Sequence, residues 1–528
     1  MTILDEILSL EEYRGLSPAE FFYRNREIAG FSNPTRALYQ TVRELVENSL
    51  DATEMFNILP DIYVEIKELS STENIVSVTV RDNGIGVPQD EVPKVFGQVF
   101  YGSKYKLRQS RGIFGLGVKM AVLYAQMTTG KPCEVRTAVP KSEYIYSFKI
   151  LIDISKNKPI VLSKRKEPNP NKWHGTEVKL TLEGNWSGSR SRIVEYIRRT
   201  ALIAPYANIT FKGPGVDLRF KRVTTKLPEP PEIGKPHPKG VDIELLKKLI
   251  SGYKQVKSDP PTLQEFLVEC FDSVGEITAK RFLDWAGFKH DIRIDQLKIR
   301  DLEKLARRMK EYDEWRRPKA TPLSPLGEDL LKKGVKEILK AEFATAVTRK
   351  PSSYSGHPFI VEVAIAWGGE IKPSDKPLLL RFANKIPLLY DEGVDVSRKV
   401  VDHIDWSQYK VKMPAPLAII THVCSTKVPF KGVGKEAIAD VPEIEREVEN
   451  AIKEAARRLR RYLSKKEREL EIKMKYVTIT KYADEVARAL AIITGKDKKV
   501  YLRAINRLVE SKILKKKVPS RVTVRRRK

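Results

Sequence analysis

The chain has 528 residues, which at roughly 100 to 200 residues per domain is enough for three to five compact units. Hydrophobic residues make up 41%, no apolar run reaches the ~18 residues of a membrane span, and the acids in MTILDEILSLEEYRG argue against an export signal. Lys plus Arg number 96 against 68 Asp plus Glu, and the formal charge of +28 attracts a polyanion, nucleic acid first, with a solvated, ion-pair-rich surface as the alternative.

Residues 1–16 read as an N-terminal arm ahead of the first convincing helix. Residues 17–228 alternate helical and strand patterns. Within them, Asn33 and Pro34 start a helix, the first as a capping side chain and the second as a proline whose missing N–H costs nothing in the first turn. Leu38, Val42, Leu45 and Ser49 fall on one face of that helix, and Glu44, Asn48 and Asp51, at i, i+4 and i+7, on the other. Alone, such a polar stripe is the wet side of an amphipathic helix. NIVSVTVRDNGIGVP then reads as an alternating strand that stops at Asp82. Gly84 and Gly86 follow, removing side chains where a ligand approaches the backbone, although Asp, Asn and Gly also make plain turns. YGSKYKLRQSRGIFGLGVKMAVLYA places Ser103, Lys104 and the glycines 112, 115 and 117 ahead of an apolar helix, whose free N–H groups suit phosphate. It is not a P-loop, because GxxxxGK[ST] occurs nowhere, nor a dinucleotide fingerprint.

The proline-rich LPEPPEIGKPHPKG is a linker into a lysine-rich helical region, 229–315. There Gly275 and Gly287 bracket a helical run, and two short helices joined by tight turns are expected. Three prolines between Arg316 and Pro325 open a second mixed region, 316–475, in which FIVEVAIAW, PLLLRFANKIPLLY and LAIITHVC read as strands. From Glu443 to about Lys475 neither Gly nor Pro occurs, which predicts a helix of about thirty residues spanning on the order of 45 Å. Residues 476–528 hold a further helical pattern and the basic tail SKILKKKVPSRVTVRRRK. Cys133, Cys270 and Cys424 show no paired spacing, which argues against zinc and disulfides and fits a reducing cytoplasm.

The order of these motifs is more specific than any one of them. A helix with ExxxNxxDA, a strand ending in DNGIGV, a GxxGxG lid and HGTEV at 174–178 together resemble the GHKL ATPase family, which includes gyrase, the MutL mismatch-repair protein, the heat-shock chaperone of ninety kilodaltons and sensor histidine kinases. The resemblance implies a Bergerat-type α/β sandwich that binds ATP and Mg²⁺. In it Glu44 positions and activates the attacking water, and Asn48 holds the magnesium ion. Asp82 takes the adenine amine with support from Thr176, and Asp51, Gly84 and Gly86 belong to the same site. The lid over the triphosphate is formed by Ser103, Lys104 and the run Gly112, Ile113, Phe114, Gly115, Leu116, Gly117, Val118 and Lys119.

No His precedes His174, so a phosphoacceptor histidine ahead of the ATPase region is missing and a histidine kinase is excluded. A chaperone leaves the basic excess and the helical module unexplained. A mismatch-repair protein shares an ATPase, a second mixed domain and DNA binding, and stands as the alternative. Over nearly the whole chain the order of ATPase, helical insert, mixed domain and long helix is similar to the topoisomerase VI B-subunit family. That resemblance implies an α+β multidomain fold, with a helix-two-turns-helix insert and a ribosomal protein S5-like transducer. It also implies a transducer-loop lysine that reaches the terminal phosphate, matched here by Lys427 in CSTKVPF, with Ser425 where gyrase has a glutamine. ATP would dimerise two copies, which exchange their N-terminal arms and close on duplex DNA held through its phosphates, at the nucleoid in the cytoplasm. No two aspartates stand at i and i+2 and no tyrosine sits in a recognisable cleavage motif. The resemblance therefore assigns strand cleavage to a partner, the DNA-cleaving A-type chain of topoisomerase VI, in an A2B2 heterotetramer. The long helix and basic tail are the candidates for reaching it, with DNA as the tail's other possible target.

Overall fold

The computed structural model describes residues 15–102, 107–112, 115–256, 259–432 and 434–509. Most of the expected N-terminal arm, and Ser103, Lys104, Ile113, Phe114 and the basic tail, lie outside them. The chain divides into two compact units, one of residues up to 404 with 413–455, the other of 405–412 with the residues from 456 on.

The first unit opens with α1 (Pro18–Arg24) and α2 (Pro34–Glu54), the latter capped as its sequence requires: Asn33 Oδ1 accepts the Arg36 N–H at 2.9 Å and Pro34 fills the first turn. There follow β1 (Asp61–Ser70), β2 (Ile75–Arg81), α3 (Val92–Gly97), α4 (Gly117–Thr129), β3 (Cys133–Ala138), β4 (Tyr144–Asp153), β5 (Lys158–Pro168), β6 (Gly175–Glu183), α5 (Trp186–Ile203), β7 (Asn208–Gly213) and β8 (Val216–Phe220). The strands form one eight-stranded sheet in the order β5-β4-β3-β6-β2-β1-β7-β8, antiparallel except for β1 beside β7. Helices α2, α4 and α5 pack on this sheet, and α2 also packs against the other two. The alternating burial of β2 and β6 puts Val78, Val80, Val178 and Leu180 into the shared core. This is the α/β sandwich expected of the region.

Among its described residues the helical insert holds four helices, where two short ones are expected: α6 (Ile243–Val256), α7 (Leu263–Cys270), α8 (Glu276–Ala286) and α9 (Ile299–Glu311). Lysines and arginines mask the outer pair in the sequence, yet its amphipathic spacing buries Leu246 and Ile250 from α6 and Leu302, Leu305 and Met309 from α9. Gly275 and Gly287 do bracket α8, the second in the left-handed conformation that ends a helix. The insert has a core of its own, built on Phe266, Phe271, Phe282 and Trp315.

The second mixed region contains α10 (Gly327–Leu339), β9 (Phe343–Thr348), β10 (Ser352–Tyr354), β11 (His357–Trp367), β12 (Leu378–Ala383), β13 (Ile386–Leu388), α11 (Val396–His403) and β14 (Leu417–Ser425). Its sheet runs β10-β11-β14-β12-β13, with β9 on β11, and β14 is buried at every residue, as a strand covered on both faces must be. Leu330, Leu331, Phe382 and Ile420 join the core of the first sheet, so one apolar core runs through both mixed regions.

The long helix α12 covers Pro442–Thr494, 53 residues, before α13 (Lys498–Val509). It does not stop near Lys475. The β-branched run YVTIT lowers helix propensity but breaks nothing, and the first residue able to end the helix is Gly495, at φ +72°.

Candidate functional site

A cavity of about 280 Å³ opens between α2, the end of β2, α3 and the start of α4. Glu44, Asn48, Asp51, Asp82, Gly86, Gly112, Gly115, Leu116, Gly117, Val118, Lys119 and Thr176 all line it. Residues chosen from four separate motifs, spread from α2 to β6, therefore share one wall. The polar stripe of α2 is not a wet helix face, since Glu44 is 8% and Asp51 3% exposed.

At the inner end, Asp82 is buried where β2 stops. Its Oδ1 accepts the backbone N–H of Gly84 at 2.9 Å and of Thr176 at 3.1 Å, and its Oδ2 accepts the Ser49 hydroxyl at 2.8 Å. Burial pushes the carboxyl above its usual range, and these three donors offset part of that. Val80, Ile85, Val87, Phe96 and Val178 supply apolar walls around it. A single oriented carboxylate in such walls suits a flat heterocycle that donates one amine. The HGT segment contributes twice: Thr176 backs Asp82, and the His174 ring meets the Gly84 carbonyl at 2.8 Å. Trp173 Nε1 also donates to the Asp82 carbonyl at 3.3 Å.

At the other end, Gln40 Nε2 donates to Glu44 Oε1 at 3.0 Å. A Cβ on Gly117 would stand 1.5 Å from Glu44 Oε2, so a side chain there would push this carboxylate out of its present position against the start of α4. No side chain caps α4 among the described residues, and its first-turn residues Gly117, Val118 and Lys119 line the cavity. Uncapped N–H groups and the helix dipole favour anionic oxygens there.

The base of the lid is tied down by charge. Arg111 donates to Asp51 Oδ1 at 2.9 Å and to Glu54 Oε1 at 2.7 Å, and Lys385, from the second mixed region, reaches Glu54 Oε2 at 3.2 Å. Burial alone would raise the Glu54 carboxyl, but Arg111 and Lys385 together hold it below its usual range. Asp51 therefore anchors the lid while lining the cavity.

Lys427 does not line the cavity. Its backbone N–H is turned back onto Ser425 Oγ at 3.1 Å, and its side chain is exposed near His357, whose pKa it helps burial to depress to about 4. The lysine of the second mixed region that does line the cavity is Lys435, eight residues on, whose Nζ donates to the Arg111 carbonyl at 3.0 Å. The family likeness is what points to Lys427, whose place just past a strand end is otherwise that of an ordinary solvated lysine. The GVGK segment ending at Lys435, with glycines on either side of Val433, is the sequence signal for a loop that can enter a crowded site. Gln40, Arg108 and Ser49 also reach the cavity, although periodicity alone puts Ser49 on the apolar face.

Glu362, His422 and Cys424 form the one group among the described residues close enough to share a metal ion. Its donors are already used: His422 faces Glu362 with Nδ1 at 2.9 Å and accepts the Lys385 N–H with Nε2 at 2.9 Å. Glu362 also takes the N–H groups of Leu326 at 2.9 Å and Gly327 at 2.7 Å. The group is a junction that seats α10 on the sheet.

A sandwich of this topology, with a buried aspartate at one end of the cavity and a glutamate facing a glycine-opened helix start at the other, defines a GHKL-type ATPase. Residues 33–182 match the family of histidine kinase-, DNA gyrase B- and HSP90-like ATPases, and residues 318–475 match the topoisomerase VI B-subunit transducer. The B subunit of type 2 DNA topoisomerase 6 from Pyrobaculum aerophilum is 57% identical over 501 residues, 95% of this chain and 94% of that one. The protein of the same name from Sulfurisphaera tokodaii is 50% identical over 496 residues, 93% and 92% of the two chains. A solved MutL ATPase domain from Aquifex aeolicus, complexed with ADP, is similar at 13% identity and a TM-score of 0.32, covering 73% of this chain and 90% of that one. The chain belongs to the topoisomerase VI B-subunit family, as the nucleotide-binding, ATPase component of a type II DNA topoisomerase.

Proposed function

We propose that the chain binds Mg²⁺-bound ATP to close a dimeric clamp on duplex DNA and hydrolyses it to reopen the clamp, and that a partner protein cuts the other duplex. The observation that carries this is the convergence of Glu44, Asn48, Asp82 and the start of α4 on one cavity. Asp82 accepts the adenine amine, with Thr176 and Ser49 fixing its carboxylate. Glu44, steadied by Gln40, orients a water and takes its proton. The N–H groups at Gly117 to Lys119, with the lid from Gly112, cradle the phosphates. Asn48, half-buried one turn from Glu44, is the residue to hold a magnesium ion, and a single neutral amide oxygen fits an ion that keeps waters and phosphate oxygens as its other ligands. Bound there, the ion supplies charge neutralisation on the phosphates. Lys435 takes the terminal-phosphate role in place of Lys427.

In this reading residues 17–228 are the ATPase domain, 229–315 the insert and 316–475 the transducer, and the arm of residues 1–16 is exchanged between protomers. The cleaving partner, the A-type chain of topoisomerase VI in an A2B2 heterotetramer, docks on the distal part of α12 and the residues beyond. Leu470, Met474 and Val477, at i, i+4 and i+7, are 53%, 70% and 61% exposed there, an apolar stripe suited to a partner surface. No described helix is long and apolar enough to cross a membrane. The charge of +28 supports DNA being held through its phosphates, and with it an assembly at the nucleoid in the cytoplasm. Light scattering with and without a non-hydrolysable ATP analogue tests the clamp. Dimers only with the analogue support it, and a nucleotide-independent dimer contradicts it.

A further inference from the structure

Arg43 precedes Glu44 on α2, and consecutive helical residues point about 100° apart. Glu44 faces the cavity, while Arg43 does not line it and is fully buried on the side of the second mixed region. Its Nε donates to Glu47 Oε1 at 2.8 Å. Its Nη1 donates to Glu436 Oε1 at 2.7 Å and to the Gly434 carbonyl at 3.1 Å. One guanidinium thus grips the residues on either side of Lys435.

The gripped loop is under strain. Lys435 sits at φ +54°, a left-handed conformation that is costly for a residue with a side chain and persists only where its surroundings over-determine it. Those surroundings come from two domains. Arg43 holds the loop from α2, and Arg381, buried in β12 and paired with Asp395 at 3.1 Å, donates to the Glu436 carbonyl at 3.2 Å from the other side. The Tyr390 N–H fills Glu436 Oε2 at 3.3 Å. A buried ion pair adds little net stability, and here Arg43 Nη2 and Glu47 Oε2 lack hydrogen-bond partners among the described residues. What the pair does supply is position.

We propose that Arg43 and Glu436 form a positioning clamp that holds the Lys435 loop in its cavity-facing arrangement, tying the loop's lysine to the helix that carries Glu44. The proposal rests on Lys435 facing the terminal phosphate. Arg43 acts through Lys435: when the clamp is set, the water-activating glutamate and the phosphate-facing lysine are held by neighbouring residues of one helix. When it loosens, the loop relaxes toward the transducer and takes the lysine with it.

The test is a cycle on the full chain: Glu436→Gln, Arg43→Lys, Lys435→Ala and the double variant Lys435→Ala/Glu436→Gln. ATPase kcat and KM are measured beside thermal unfolding and binding of a non-hydrolysable ATP analogue. Glu436→Gln and Arg43→Lys should each lower kcat by about 10-fold with KM nearly unchanged. The double variant should be no slower than Lys435→Ala alone, because the clamp has nothing left to position. If Arg43→Lys fails to fold, the Glu436→Gln cycle decides alone. Losses that multiply in the double variant, with Lys435→Ala itself slow, overturn the clamp and leave the phosphate role intact. An unimpaired Lys435→Ala overturns the phosphate role, and the clamp with it.

Discussion

The Lys435 ammonium donates to the Arg111 carbonyl at 3.0 Å, joining the transducer loop to the base of the nucleotide lid across 324 positions of sequence. The continuous apolar core and the Glu54–Lys385 pair tie the same two domains together. A change at the phosphates therefore has a short path into the transducer.

That relationship separates two lysines by experiment. Lys435→Ala should slow hydrolysis by about 10² to 10³, the cost of one preorganised electrostatic donor. Lys427→Ala should hydrolyse ATP at the native rate, since its side chain is exposed outside the cavity. Steady-state ATPase assays of both decide it, and the reverse ranking would restore Lys427 to the phosphate.

Glu44→Gln should keep nucleotide binding and slow turnover by roughly 10² to 10⁴, the range for a lost general base. Gln40 donates to the same carboxylate, so Gln40→Ala should lower kcat more than it raises KM. Near-normal turnover in Glu44→Gln would remove the residue from the chemistry.

Asp82→Ala should weaken ATP binding by about 1.5 to 3 kcal/mol and blur the preference for ATP over GTP. Burial raises the Asp82 carboxyl, and the amine contact needs the carboxylate, so affinity should fall as pH drops through that raised range. Asp82→Asn should lose this pH dependence. Titration calorimetry across pH reads both effects, and an acid-side weakening that survives in Asp82→Asn would assign it elsewhere.

Glu54 has a folded pKa below its ordinary value of 4.5, so its contribution to stability is complete above that value and is lost as pH falls through the lower folded one. Glu54→Gln should cost about 3 kcal/mol at neutral pH, by leaving Arg111 and Lys385 short of a buried charge. Chemical denaturation of both chains across pH reads the difference, which should shrink as pH falls below 4.5. A gap that is constant with pH would show that the carboxylate's charge is not what matters.

Much of this site is legible in the sequence because its motifs are local. Asn33–Pro34 sets where α2 starts, and from there helical spacing alone puts Glu44, Asn48 and Asp51 on one wall. DNG marks the end of β2, and Gly275 and Gly287 mark both ends of α8. What escapes depends on long-range packing. Ser49 reads as the apolar face by periodicity, yet it reaches Asp82 because the β2 end folds over that side of the helix. Lys435 is held in place by Arg43 and Arg381, 392 and 54 residues away in sequence, which no local pattern encodes. The end of α12 escapes because weak propensity resembles a stop, while a helix of 53 residues ends only at a glycine.

In the proposed function this chain supplies ATP-driven clamping to a topoisomerase whose cleavage chemistry lies on a different protein. Plasmid relaxation tests it most directly. The purified chain alone should bind duplex DNA with a steep salt dependence, hydrolyse ATP slowly and relax nothing. Mixed with an A-type partner that carries the tyrosine and metal site, it should support ATP- and magnesium-dependent relaxation, with trapped double-strand breaks covalent on the partner. Relaxation by the chain alone, with DNA attached to one of its own tyrosines, or no relaxation in any mixture, would contradict the account.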